Sequence, residues 1–285
     1  MDNSEIKDPL FRLAVEAIDS GDDTILRQIL EKHPQLVSKR LDTPDEGYFK
    51  HPYLLWFVAD NPIRHEKLPA NICDVTRLII RSVQKNAADS FKEQIDYTLG
   101  LVATGRIPRE SGVQLEWIDL LIDSGATPGN GVGALAHGNV DAARHLIERG
   151  GNLTLATAIC LDRIEDIRRL AAKANKEDKQ IALIAASFYG MPDKINYLLD
   201  LGADVNAYID RSSGFHSHAT ALHQAVFSTS LDSVRLLVEA GANLHLKDHI
   251  YDGTPLDWAK YMQKVEPDTA KLDRYREIES YLSNV

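Results

Sequence analysis

Cysteine is scarce in this chain of 285 residues: Cys73 and Cys160 are the two present, far apart in sequence. A disulfide framework or a zinc knuckle needs cysteines in clusters, so both are excluded and a reducing compartment is expected. Long apolar runs are also missing. The longest, Ile181 to Ala186, is six residues, far below the roughly 20 that span a bilayer. The opening Met-Asp-Asn-Ser-Glu-Ile-Lys-Asp-Pro has no apolar core of the kind that drives export; the expected location is cytoplasmic. Positive charge is short too, with 32 basic against 42 acidic residues and a formal charge of −10. Without a local basic cluster such a surface repels phosphate backbones and anionic lipid, so neither nucleic acid nor membrane is expected as a partner. What remains, 44% hydrophobic and 26% charged residues, is ordinary soluble-globular usage and excludes a collagenous or disordered chain.

The usual catalytic signatures are absent. There is no nucleophile elbow, no phosphate loop ending in Gly-Lys-Ser/Thr and no paired-histidine zinc helix. Gly131-Val-Gly-Ala-Leu-Ala136 fits a dinucleotide fingerprint, but that motif needs a strand before it, and Ile118 to Gly125 reads as the end of a helix. His216, His218 and His223 could supply imidazole ligands, although a structural zinc site needs four fixed ligands and no nearby thiol or carboxylate completes the set. The expectation is a non-enzymatic protein with no cofactor and no bound metal. A metal- or small-molecule-binding protein or enzyme centred on those three histidines is the alternative.

Self-similarity organises the chain. Thr220-Ala-Leu-His-Gln-Ala225 recurs as Thr254-Pro-Leu-Asp-Trp-Ala259, and Ile181-Ala-Leu-Ile-Ala-Ala186 precedes both. Leu198-Leu199 with Gly202-Ala-Asp-Val-Asn206, and Leu236-Leu237 with Gly241-Ala-Asn-Leu244, follow at matching offsets. This pattern resembles the ankyrin repeat family, whose unit of about 33 residues carries Thr-Pro-Leu-His-x-Ala. The resemblance implies an all-α solenoid of about eight stacked helix-turn-helix units with projecting turns, in a single domain over 1–285. Candidate units are 10–37, 52–85, 98–127, 129–152, 153–176, 181–207, 220–246 and 254–285, the second and third of them distorted. Local chemistry agrees: Thr254 is a good N-cap with Pro255 behind it, and Gly202 and Gly241 suit left-handed helix ends. Ala17, Ala134, Ala158, Ala186, Ala225 and Ala259 form a column of small residues where neighbouring units approach. Leu272, Tyr275, Ile278 and Leu282, at helical spacing, give a polar-backed C-terminal capping helix.

In ankyrin arrays the two residues before the inter-helix glycine lie on the concave face that commonly receives a partner. The resemblance places Ala136 and His137, Cys160 and Leu161, Phe188 and Tyr189, Phe227 and Ser228, and Tyr261 and Met262 there. In the first three units the same slots hold Asp19 and Ser20, Asn61 and Pro62, and Gly105 and Arg106. Aromatic and methionine side chains dominate interface energies, so His137, Phe188, Tyr189, Phe227, Tyr261 and Met262 are expected to bind a partner. The long loop from Tyr208 to His218 adds Tyr208 and Phe215. The other reading is that Phe188, Phe227 and Tyr261 are packing residues that shield the inner helices, and that the loop is a tolerated insertion. The expected function is a monomeric protein-binding module, an adaptor, inhibitor or immunity-type binder, with the acidic balance favouring a basic protein partner.

Overall fold

Helix caps punctuate the chain. Asp8 accepts from the amides of Leu10 and Phe11 with Pro9 at the first helical position, and Gly21 ends the same helix in the left-handed region. Asn175 with Asp178 and Thr254 with Asp257 form reciprocal capping boxes. The computed structural model describes residues 3–42, 48–209 and 214–285, so positions 210–213 of the expected recognition loop lie outside the described residues.

The α-helices run α1 Pro9–Ser20, α2 Asp23–Lys32, α3 Ile72–Asn86, α4 Ala88–Thr104, α5 Arg106–Glu110, α6 Gln114–Asp123, α7 Val132–Ala136, α8 Val140–Glu148, α9 Leu155–Cys160, α10 Ile164–Ala171, α11 Lys176–Phe188, α12 Pro192–Asp200, α13 Ala221–Phe227, α14 Leu231–Glu239, α15 Pro255–Val265 and α16 Thr269–Leu282. No β-strand occurs among the described residues beyond an isolated bridge between Arg40 and Tyr53. The fold is therefore all-α, and the glycine-rich Gly131 to Ala136 segment has no strand before it. Gly131 is instead the left-handed cap of α7.

Two compact units divide the chain, Met1–Gly129 with Asp141–Gly151, and Asn130–Val140 with Asn152–Val285. In the first, α1 packs on α2, and α3 on α4 and α6. Here the second and third candidate repeats depart from a helix pair. The stretch expected to form the inner helix after Pro52 is a 3-10 helix, Leu54–Ala59, every residue of it buried and the left-handed Asp60 ending it. A segment buried all round has no polar stripe to guide helix packing. The helix expected from Thr98 begins at Ala88. The polar slot Asp19 is also explained: its carboxylate takes Arg64 Nη2 at 2.6 Å and Nε at 3.1 Å, and the Arg64 side chain is 1% exposed.

The second unit is regular. Inner helices follow one another, α7 against α9, α9 against α11, α11 against α13 and α13 against α15, while α12, α14 and α16 form the outer row. One helix pair cannot bury its apolar face alone, so each layer is stabilised by its neighbours. Ala158, Ala186, Ala225 and Ala259 are all fully buried, the small column where inner helices touch. α11 is flanked on several sides, which is why Ala182 to Ser187 are buried without a break. A Cβ on Gly190 would lie 2.8 Å from Ser230 Cβ, so the turn after α11 needs glycine both for space and for its φ of +61°. On α16 the buried residues are Tyr275, Ile278 and Leu282, and the Tyr275 hydroxyl donates to Phe227 O at 3.1 Å.

Candidate functional site

Phe188 at the end of α11 and Phe227 at the end of α13 are half-buried and stack with ring centroids 5.4 Å apart. Phe215 meets the edge of Phe188 at 5.3 Å, and the His216 ring meets Phe227 at 4.8 Å. The row continues to Trp258 on α15, 5.8 Å from His216. Three inner helices and the segment before α13 thus build one aromatic surface. The two phenylalanines pack on one another, while Tyr261 is 61% exposed.

The remaining expected residues are placed differently. Tyr189 turns inward, its hydroxyl donating to Leu135 O at 2.7 Å, and burial pushes its phenol well above the ordinary range. Tyr208 lies against His249, ring centroids 4.0 Å apart, and donates to Lys247 O at 2.7 Å. It braces the following turn rather than joining the aromatic row. His137 is exposed at the end of α7, with Nδ1 2.9 Å from Gly133 O.

A cavity of about 480 Å³ opens beside the row, walled by His216, His218, Trp258, Tyr251 and Tyr261, with Phe227, Met262, Gly253 and Asp257 completing it. Phe227, Tyr261 and Met262 from the interface expectation therefore meet His216 and His218 from the alternative one. Tyr251, Trp258 and Asp248 are the contributors that sequence reasoning missed. A signal existed for Trp258: it stands where the preceding unit has Gln224 in the Thr-x-Leu-x-x-Ala frame.

Asp248 organises this site from below. It is 2% exposed and accepts from the amides of Ile250, Tyr251 and Gly253 and from Trp258 Nε1, the last at 2.9 Å. Burial alone would raise its carboxyl, but those donors outweigh it and hold it ionised down to about pH 2. The same residue fixes the turn that carries Tyr251 and the ring plane of Trp258. The imidazoles of the cavity wall, His216 and His218, are held toward their neutral form. Burial, followed by the neighbouring His218, lowers His216, and burial is also the main cause for His218.

His223 does not face the cavity chemistry as a ligand. Its Nδ1 accepts from Thr220 N at 3.3 Å, which leaves Nε2 to donate to Gly253 O at 3.0 Å. It joins the start of α13 to the next turn, and burial lowers it to about 4. Among the described residues no group of three or more His, Cys, Asp or Glu is placed to hold a metal ion. Cys160 is buried, its thiol pushed up to about 12, so it is no nucleophile. No helix of the described residues is long and apolar enough to cross a membrane.

Comparison with known proteins agrees with this architecture. The family model for ankyrin repeats, in three copies, matches residues 132–248. Protein PhlB of Serratia liquefaciens is 31% identical over 109 residues, 37% of this chain and 45% of that protein. The chain thus spans less than half the length of the curated relative it matches. Stacked inner and outer helices, an alanine column and left-handed turns recur through the matched segment. Residues 132–248 accordingly match ankyrin repeats, a family of protein–protein interaction modules and generally a non-catalytic fold.

Proposed function

We propose that the chain binds another protein through the aromatic surface at the ends of α11, α13 and α15, acting as an adaptor, an inhibitor or an immunity-type binder without catalysis of its own. The observation that carries this reading is the row from Phe188 through Phe227 to Trp258, flanked by the exposed Tyr261 and by Tyr251 at 75% exposure. Large rings held in place by their neighbours lose little freedom on association, so most of the area they bury counts toward affinity. The formal charge of −10 favours a partner with a basic surface and a complex that weakens with salt.

The test uses tagged full-length protein and the double variant Tyr251→Ala/Tyr261→Ala. Both side chains are mostly exposed, so the melting temperature should hold. A protein retained by the wild type, lost with the variant and binding the wild type again when both are purified would support the reading. Equal retention by the two forms would refute it.

A further inference from the structure

We propose that the cavity bounded by His216, His218, Trp258, Tyr251, Tyr261 and Asp257 receives a basic side chain, lysine or arginine, of the protein partner; this rests on the protein-binding reading above. Its walls present aromatic faces, and a ring face carries the negative end of its quadrupole, to which a cation is drawn. Trp258 is primed for that role. Its indole N–H is donated to the carboxylate of Asp248 at 2.9 Å, which pushes electron density onto the ring.

No lysine or arginine is among the cavity's walls, although Lys260 and Lys247 lie near enough to Asp257 to help lower its carboxyl. Asp257 is the ionised residue of its lining, and its capping bonds from Thr254 N and Oγ1 both fall on Oδ2. Asp248, buried beneath Trp258 and Tyr251, has four hydrogen-bond donors but no lysine or arginine ion pair among the described residues. His218 Nε2 is 4.0 Å away, and burial holds that ring toward its neutral form. Lys247, the residue before Asp248, is paired with Asp252 at 2.7 Å. A buried anion satisfied by dipoles alone keeps its field, and in a low-dielectric setting that field extends into the adjoining space. An apolar guest would gain area from the rings and nothing from the two carboxylates. A cation gains from both. The imidazoles on the wall are held toward their neutral form by burial, which limits the opposing charge they add.

The experiment titrates full-length, 15N-labelled protein with Ac-Gly-Arg-Gly-NH2, Ac-Gly-Lys-Gly-NH2 and the neutral isosteres carrying citrulline or norleucine. The Trp258 indole resonance, assigned with Trp258→Phe, is followed at 0.15 M salt. Saturable shifts are expected for at least one basic peptide, about fivefold tighter than for its isostere, and at least fivefold weaker in Tyr251→Ala/Tyr261→Ala. Equal affinity for the isosteres, no saturable shift, or shifts scattered over the acidic surface that vanish with added salt would each overturn the proposal. The two readings fail separately. A partner lost by the double variant while basic peptides do not bind leaves the interface intact as an idea and removes the cation.

Discussion

Lowering the pH should loosen the joint between α13 and the turn before α15, and the amount follows from His223. The ring is fully buried, with Nδ1 accepting from Thr220 N and Nε2 donating to Gly253 O. A second proton on Nδ1 would point toward the Thr220 N–H, and the Thr220 hydroxyl, 2.8 Å from the same nitrogen, would have to turn from donor to acceptor to receive it. Burial is the main cause that lowers the ring from 6.5 to about 4, partly opposed by the Gly253 carbonyl and Asp248. Between those two values the unfolded chain binds more protons than the folded one, so folded stability falls with pH there. The contribution is complete above pH 6.5, declines as the pH drops toward 4 and changes no further below. At about 1.4 kcal/mol per tenfold change in proton affinity the whole loss is about 3 kcal/mol. His223→Asn should be destabilised by about 1–2 kcal/mol at neutral pH through the lost bonds. It should also lack this pH-dependent component. Urea unfolding of both proteins at pH 7.5, 5.5 and 4.5 gives the comparison. The wild-type advantage should shrink and then reverse as the pH falls. Parallel losses in the two proteins, or a ring that titrates near 6.5 by NMR, would refute the reasoning.

Two further outcomes test the framework. Arg64→Met removes the buried guanidinium that lies 2.6 Å from Asp19 and 3.8 Å from Asp60, leaving Asp19 with Asn3 and His65 and Asp60 with the amides of residues 64 and 65. The urea midpoint should report a loss of about 3–5 kcal/mol, and a change below about 1 kcal/mol would show that the pair contributes little. Cys160, buried and with its thiol near 12, should resist Ellman's reagent at pH 8 until denaturant is added. Labelling at the rate of an exposed thiol in native protein would contradict its placement.

The architecture of the later repeats was readable because their landmark residues do mechanical work at fixed offsets. Thr254, Pro255 and Asp257 start α15, Gly202 and Gly241 adopt left-handed turns, and the alanines lie where helices touch. The earlier units were harder because burial there overrides periodicity. Leu54 to Ala59 are apolar throughout and wind as a 3-10 helix, a result no spacing rule foresees. The proposed interface was half legible. Phe188, Phe227, Tyr261 and Met262 follow from their slots, and Phe215 joins them from the preceding loop. Tyr189, expected in the same row, turns inward, because a hydroxyl's distant acceptor, Leu135 O, cannot be seen in sequence. Asp248 stayed hidden for the same reason. Its worth comes from three amides and an indole that only the folded turn brings together.

Ala158, Ala186, Ala225 and Ala259 fix the pitch of the stack from positions that no partner touches. Framework and proposed recognition surface are therefore written in different letters of the same helices. The exposed ring at 261 can be exchanged for another side chain without altering the spacing of the helices that display it. Conversely, one added methyl group in the alanine column would act as a wedge, shifting every contact on the neighbouring layer at once.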